Sequence, residues 1–404
     1  MAPWRTGDRI TTHELEKRQL MGPLSGVKVI ELAGIGPCPM CGMLLAELGA
    51  TVLKVDRISP SGLGLGTPTR HAFLHRSRPS VAIDLKHPEG VALVLKLCGS
   101  ADALIEGFRP GVTEKLGLGP EACAERNASL VYGRVTGWGQ TGPLAKTAGH
   151  DLNFIALTGA LHAVGRAEHP PTPPLNLVGD FGGGALYLAL GIVAAVLEAR
   201  SSGQGQVVDA AMVDGAASLM TGLYGLRSAG LMGGERGRNV LDGGAHYYDV
   251  YKTRDGKYIA LAPIEPRFYA TLLEQLGVDA EALPQSTTRE DWPALKLQLA
   301  SLIETRTRDE WAELLEGTDA CFAPVLSMAE APHHAHNRAR ETFVERDGGW
   351  QPNASPRFSR TTTEIKSAPA APGEHSHQTL VDWGIDAGTV HTLIERGVVA
   401  QRGA

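Results

Sequence analysis

The chain lacks a surplus of positive charge, a cysteine framework and a long unbroken apolar run. Its 404 residues sum to a formal net charge of -6, and only 20% of them are charged. That balance argues against a nucleic-acid surface and against a polybasic membrane face. Five cysteines in a chain of this size suit a reducing compartment better than a disulfide scaffold. The longest apolar stretch, Ala185 to Leu197, is interrupted by Tyr187 and Gly191 and is too short to span a bilayer. No basic segment followed by an apolar one opens the sequence, so no secretory signal is expected. The histidines and cysteines show no metal-ligand spacing, so no metal site is expected. Internal repeats are also missing. A soluble, cytoplasmic protein is the expectation.

What is present is a 43% share of hydrophobic residues, enough for a substantial core. Residues 1–20 are polar and aperiodic and read as an N-terminal extension, with the folded unit opening near Met21. Apolar runs then alternate with helical patterns. Val27 to Leu32 reads as a buried strand, Met40 to Leu48 as a helix stopped by Gly49, and Thr51 to Val55 as a second strand. Pro88 opens a helix running to about Cys98, followed by strands at Ala103 to Ile105 and Leu130 to Val135. This β-α-β alternation predicts an α/β fold with a Rossmann-like parallel sheet. Tyr247 to Tyr251, Asp255-Gly256 and Tyr258 to Ala262 read as a hairpin opening a smaller α+β domain. The expected division is a large domain over 21–215, a linker over 216–245, a small domain over 246–335 and a C-terminal segment over 336–404 that returns to the large domain.

Several constellations carry chemistry. Gly34-Ile-Gly36-Pro-Cys-Pro39 resembles the start of a dinucleotide fingerprint, with Asp56 at the end of the next strand. Pro39 occupies the third glycine position, which breaks the match and demotes the nicotinamide reading. Cys38-Pro-Met-Cys41 has redox spacing. Without a second pair or a preceding aromatic, it reads as two packed thiols. Arg57, Arg76, Arg78, Lys86 and Arg109 fall after successive strands or near their ends. In a parallel sheet such loops converge at one edge, where cations suit phosphates, although exposed arginines are usually just solvated. Gly149-His150-Asp151 and Gly179-Asp180-Phe181-Gly182-Gly183-Gly184 each precede a helical pattern. Asp180 and Asp151 could be helix caps, and the glycines after Asp180 could let a ligand approach the backbone.

Taken together, these residues resemble the class III CoA-transferases and their α-methylacyl-CoA racemase relatives. The resemblance runs through Pro23-Leu-Ser-Gly-Val-Lys-Val-Ile-Glu-Leu-Ala33, Leu45-Ala-Glu-Leu-Gly-Ala-Thr-Val-Leu-Lys-Val-Asp-Arg57, Arg109-Pro-Gly and Val178-Gly-Asp-Phe-Gly-Gly-Gly184. It continues through Leu241-Asp-Gly-Gly-Ala-His-Tyr-Tyr-Asp249, Ile264-Glu-Pro266 and Pro372-Gly-Glu-His375. Transferases of this family carry a nucleophilic Asp in a Gly-Tyr-Asp or similar context, whereas the racemases carry Gly-His-Asp. Gly149-His150-Asp151 therefore resembles the racemase pattern.

The resemblance implies an interlocked homodimer and an acyl-CoA substrate, with CoA as part of the substrate rather than a resident cofactor. It implies His150 and Asp180 as the acid/base pair on opposite faces of the α-carbon, with Glu265 supporting the histidine, in its own subunit or across the boundary. Asp151 is expected to offer its backbone amide to the enolate. The rival reading makes it the nucleophile of a CoA-transferase. Around the CoA moiety the resemblance implies Arg57, Asp84, Lys86, Gly107, Arg109 and Lys115, with Gly149, Gly179, Gly182 and Gly183. Lys115 departs from the arginine of the racemases, keeping the charge but losing bidentate geometry.

Overall fold

The computed structural model describes residues 22–59, Gly62 and 64–402. The N-terminal extension read from the sequence lies outside these residues. Two compact units emerge. Among the described residues, the first holds the chain up to Phe154, Asn176–Ala216 and Arg338 onward; the second holds Ile155–Leu175 and Ala217–Asn337. Residues 155–175 thus group with the second unit, away from the 21–215 stretch in which the sequence alternation lies.

The first unit is built on strands β1 (Lys28–Leu32), β2 (Thr51–Asp56), β3 (Ser80–Ile83), β4 (Ala103–Glu106), β5 (Val131–Thr136) and β6 (Val207–Ala211). They pair in parallel in the order β3-β2-β1-β4-β5-β6. A short strand, Val399–Ala400, closes the β3 edge in antiparallel fashion. The fold is therefore α/β with a parallel-dominated sheet, as the alternation predicts. The chain lays β2 and β3 on one side of β1 and β4 to β6 on the other. That reversal opens a crevice beyond the carboxyl ends of β1 and β4, where α/β sheets bind ligands.

Side chains alternate across the sheet because successive Cβ atoms point to opposite faces. Ile30, Leu32, Leu53, Val55 and Leu104 enter one core, while Val29, Val52, Ala103 and Ile105 enter the other. Helix α1 (Pro37–Glu47) contributes Cys38, Cys41 and Leu45 to the second core. Helix α2 (Pro88–Cys98) covers the first, together with the C-terminal helices Ser376–Asp382 and Ala387–Glu395 through Leu380 and Val390. Both faces being covered explains why the strands read as near-continuous apolar runs rather than alternating ones. Each fully buried aliphatic side chain contributes about 1.5–3 kcal/mol.

Cys38 and Cys41 are fully buried, and burial pushes both thiols up, which fits packed thiols rather than a redox pair. Pro37 sits at the first position of α1, where its missing N–H costs nothing. The fingerprint-breaking prolines thus start a helix three residues earlier than the apolar pattern suggests.

The next elements that matter are α3 (Val112–Lys115), α4 (Asp151–Ala156) and α5 (Leu186–Ser202). A π-helical segment, Leu177–Ala185, runs directly into α5. Together they form 26 helical residues, long and apolar enough by length and composition to cross a membrane. This corrects the reading of Ala185 to Leu197 as too short. Leu188, Ile192, Ala195, Val196 and Ala199 are buried in the sheet's second core, which is the position of a core helix.

The second unit has a three-stranded antiparallel sheet of β7 (Asp249–Lys252), β8 (Tyr258–Leu261) and β9 (Phe322–Pro324). Its hairpin turns at Asp255-Gly256, where Gly256 takes a positive φ of 76° that favours glycine. Helices Pro266–Leu276, Trp292–Ile303 and Arg308–Leu315 bury Leu272, Leu299 and Trp311 in this unit's own core.

Candidate active site

The loops after β2, β3 and β4 leave the carboxyl edge of the parallel sheet, and the expected CoA-side residues Arg57, Asp84, Lys86, Gly107, Arg109 and Lys115 lie on them or nearby. Arg57 follows β2 and stands 5.7 Å over the Phe108 ring, so the loops after β2 and β4 meet. Asp84 follows β3 and turns the chain by accepting the Lys86 N–H at 2.9 Å. Gly107, Phe108 and Arg109 follow β4, and Lys115 ends α3. Arg57, Lys86, Arg109 and Lys115 are exposed and join no ion pair among the described residues.

The loop after β4 is held from below by residues the sequence reading passed over. Glu106 is buried, with Oε2 accepting the Phe108 N–H at 2.6 Å and Oε1 accepting from Arg134 Nε at 2.9 Å. Arg134 reaches on to Glu114 at 2.8 Å. Burial pushes the Glu106 carboxyl up to about 7, against the Phe108 amide and Arg134, which pull it down. An acid closing an otherwise apolar strand was the signal available in the sequence.

His150 caps helix α4. Its N–H donates to Asn153 Oδ1 at 3.1 Å, and the Asn153 N–H returns to the His150 carbonyl at 2.7 Å. This reciprocal arrangement fixes the turn and leaves the histidine exposed. Gly149 must be small for packing reasons. A Cβ there would lie 2.6 Å from the Phe154 ring and 3.3 Å from Trp138, which form an edge-to-face pair at 4.9 Å. Asp151 follows as the first helical residue. Its backbone N–H is among the first-turn groups that no intrahelical acceptor can satisfy.

Asp180 lies in the π-helical segment, a geometry that recurs at functional sites. Its backbone N–H donates to Asp151 Oδ1 at 2.6 Å, and its Oδ2 accepts from Asn176 Nδ2 at 3.2 Å. Gly36, at the start of α1 with φ 68°, approaches from the β1 side. A Cβ on Gly36 would lie 3.2 Å from Asp180 Oδ2. Burial raises the Asp180 carboxyl above its ordinary range. Asn176 opposes that rise, the Asp151 charge adds to it, and His150 opposes it. Asn176 was not singled out from sequence, although it stands one helical turn before Asp180.

Gly183 and Gly184, after Asp180, serve packing. A Cβ on Gly183 would meet the Ala216 backbone nitrogen at 2.6 Å, and one on Gly215 would meet the Gly183 carbonyl oxygen at 1.9 Å. Gly183→Ala is therefore expected to cost about 1–3 kcal/mol by overpacking and to displace the Asp180 segment. Thermal melting alongside turnover checks this. An unchanged melting temperature with full activity would overturn it. Gly179 is buried and Gly182 half-buried in the same segment.

The structure thus brings His150, Asp151 and Asp180 together. Glu265 belongs to the second unit, where it is exposed at the start of helix Pro266–Leu276. Among the described residues no group of three or more His, Cys, Asp or Glu is arranged to hold a metal ion. A cavity of about 310 Å³ lies in the second unit, lined by Met220, Leu223, Tyr224 and Arg227 among others, and includes neither His150 nor Asp180.

Comparison with known proteins decides the kinship. The pattern of CoA-transferase family III matches residues 24–376. The chain belongs to this family. Within it, the chain is 46% identical over 365 residues to an alpha-methylacyl-CoA racemase of Mus musculus, covering 89% of this chain and 93% of that protein. It is 40% identical over 375 residues to an alpha-methylacyl-CoA racemase of Homo sapiens, covering 92% and 96%. Its fold is similar to the crystal structure of a CAIB/BAIF family protein from Brucella suis, with a TM-score of 0.75, 26% identity, and coverage of 90% of this chain and 100% of that one.

Proposed function

We propose that the protein inverts the stereocentre beside the thioester of 2-methylacyl-CoA substrates, with His150 and Asp180 as its two acid/base groups. The observation that carries this reading is the meeting of His150, Asp151 and Asp180 at the carboxyl edge of the sheet. There a half-buried acid with a raised pKa interacts with the histidine's charge. Kinship with two alpha-methylacyl-CoA racemases supports it.

The reaction needs a base on one face of the α-carbon and an acid on the other. Neutral His150 takes the α-proton and becomes imidazolium. Protonated Asp180 gives its proton to the opposite face of the resulting enolate and becomes carboxylate. The reverse direction starts from imidazolium and carboxylate. The two starting states differ only in where one proton sits, so the pair titrates as a unit. Burial and the neighbouring Asp151 charge both favour a proton on Asp180, as one of these states requires. The thioester acidifies the carbon, so CoA serves as part of the substrate and no further cofactor is invoked. The Asp151 N–H at the start of α4 is positioned as an oxyanion donor, a role worth about 3–4 kcal/mol. Arg57, Lys86, Arg109 and Lys115 suit the phosphates of CoA, and Glu265 is assigned as the histidine's support by resemblance. A homodimer and a cytoplasmic location complete the proposal, and sedimentation velocity tests the first of these.

Incubation with a 2-methylacyl-CoA in deuterated water, without an acceptor acid, tests the reading. α-Deuterium with inversion is expected. Its absence, together with an acyl-enzyme trapped by hydroxylamine, would instead make Asp151 the nucleophile of a CoA-transferase. The burial of Asp151, only 6% exposed and holding the Asp180 amide, weighs against that role.

A further inference from the structure

We propose that the Asp151 side chain is a positioning residue that ties the Asp180 segment to the histidine's helix. The proposal rests on the acid/base reading above and goes beyond it, since that reading gives the Asp151 side-chain bond no part in placing Asp180. Asp151 and Asp180 lie on separate elements, the start of α4 and the π-helical segment, 29 residues apart in sequence. The 2.6 Å bond from the Asp180 N–H to Asp151 Oδ1 is the only side-chain bond between those two elements among the described residues. A carboxylate accepting a backbone N–H makes a charge-assisted bond, stronger than its neutral counterpart. The bond that holds the Asp180 segment is therefore made by a side chain to which the acid/base reading assigns no proton transfer.

A second observation separates this from an ordinary helix-start acid. Asp151 is 6% exposed, and its other oxygen, Oδ2, is buried with no hydrogen-bond partner among the described residues. A carboxylate oxygen buried without a partner is costly. An acid placed only for folding would turn outward or be replaced by a group with one acceptor. Here a second carboxyl group is held beside Asp180 and bonded to its amide. The titratable groups acting on Asp180 are Asp151 and His150, both from the start of α4. The start of α1 contributes Gly36, which carries no charge. Asp151 therefore sets the position of Asp180 through Oδ1, and its charge keeps a proton on Asp180 to higher pH.

Two substitutions separate the bond from the charge. Asp151→Asn keeps an acceptor for the Asp180 N–H and removes the charge. Asp151→Ala removes both. Turnover of a 2-methylacyl-CoA and its α-deuterium exchange are measured across pH. For Asp151→Asn both limbs of the pH profile are expected to move to lower pH, with a loss of no more than about tenfold at its own optimum. For Asp151→Ala a loss in kcat of about 100-fold is expected at every pH with KM little changed, the effect of a misplaced acid. An unmoved profile in Asp151→Asn, or near-normal kcat in Asp151→Ala, would overturn the proposal. A wild-type protein without exchange would instead overturn the acid/base reading. Asp151→Asn is nearly isosteric, so its pH profile remains readable if Asp151→Ala fails to fold.

Discussion

His150→Ala and Asp180→Asn are each expected to abolish inversion, with losses of about 10²–10⁴-fold, while CoA still binds. The expectation follows from the proposed division of labour between the two faces of the α-carbon. Each epimer presents its hydrogen to one residue only, so inversion requires both groups in sequence. Exchange with solvent needs only one of them. Asp180 in the His150→Ala protein can still remove a proton from the epimer whose hydrogen faces it and return a solvent proton to the same face. The His150→Ala protein is thus expected to lose inversion of both epimers yet to wash deuterium into one. Asp180→Asn is expected to show the mirror preference. Chiral separation of the products after incubation in deuterated water distinguishes inversion from exchange. Isothermal titration with CoA checks that the loops proposed to meet its phosphates, which contain neither residue, are intact. Near-normal inversion by either variant would remove that residue from the acid/base role.

Much of the fold was legible because the sheet is covered on both faces. Strands such as the one read from Val27 to Leu32 then appear as largely apolar runs between glycines, here Gly26 and Gly34, and helices such as Pro88–Cys98 as 3.6-period patterns. Strand β3 was harder to read. It spans four residues, Ser80–Ile83, and opens with a serine bonded to Asp56, so it shows no apolar run at its start. The closing strand Val399–Ala400 has only two residues and no pattern of its own. The sequence pointed to His150 and Asp180 only through the glycines around them and a family resemblance. What organises them arises from long-range packing. Gly36 approaches Asp180 from the far end of β1, and the Asp151–Asp180 bond links helix α4 to a π-helical turn that no periodicity announces. Asn176 was within reach, since it precedes Asp180 by four residues and donates to its carboxyl.

The other large effect is expected inside the first unit, where Glu31 and Arg78 form an ion pair at 2.9 Å with neither side chain exposed. Glu31 interrupts the apolar run of β1, and Gly42 on α1 makes room for it. A Cβ on Gly42 would lie 2.1 Å from Glu31 Oε2. Burial pushes the Glu31 carboxyl above its ordinary range, while Arg78 and then Lys54 pull it back and Asp56 adds to the rise. Breaking such a pair from one side leaves an uncompensated charge, at a cost of about 3–5 kcal/mol. The two single variants are expected to differ in their response to pH. Glu31→Gln strands a guanidinium that cannot release its proton, so this site is expected to contribute no pH dependence to the stability of that variant. Arg78→Met strands a carboxyl that can take one. With Arg78 gone, the folded-state pKa of Glu31 rises further above its unfolded value. The resulting stability is present below the unfolded pKa and is lost as pH rises through the folded one. The deficit of Arg78→Met is therefore expected to be small in acid and to grow toward neutrality. Glu31→Leu combined with Arg78→Met removes both charges and is expected to recover most of the loss, because a packed apolar pair avoids the desolvation cost. Urea denaturation of the three variants at several pH values reads these differences directly. Single-variant costs below about 1 kcal/mol would place the pair with exposed ion pairs in energetic terms, and parallel pH responses would refute the stranded-charge account.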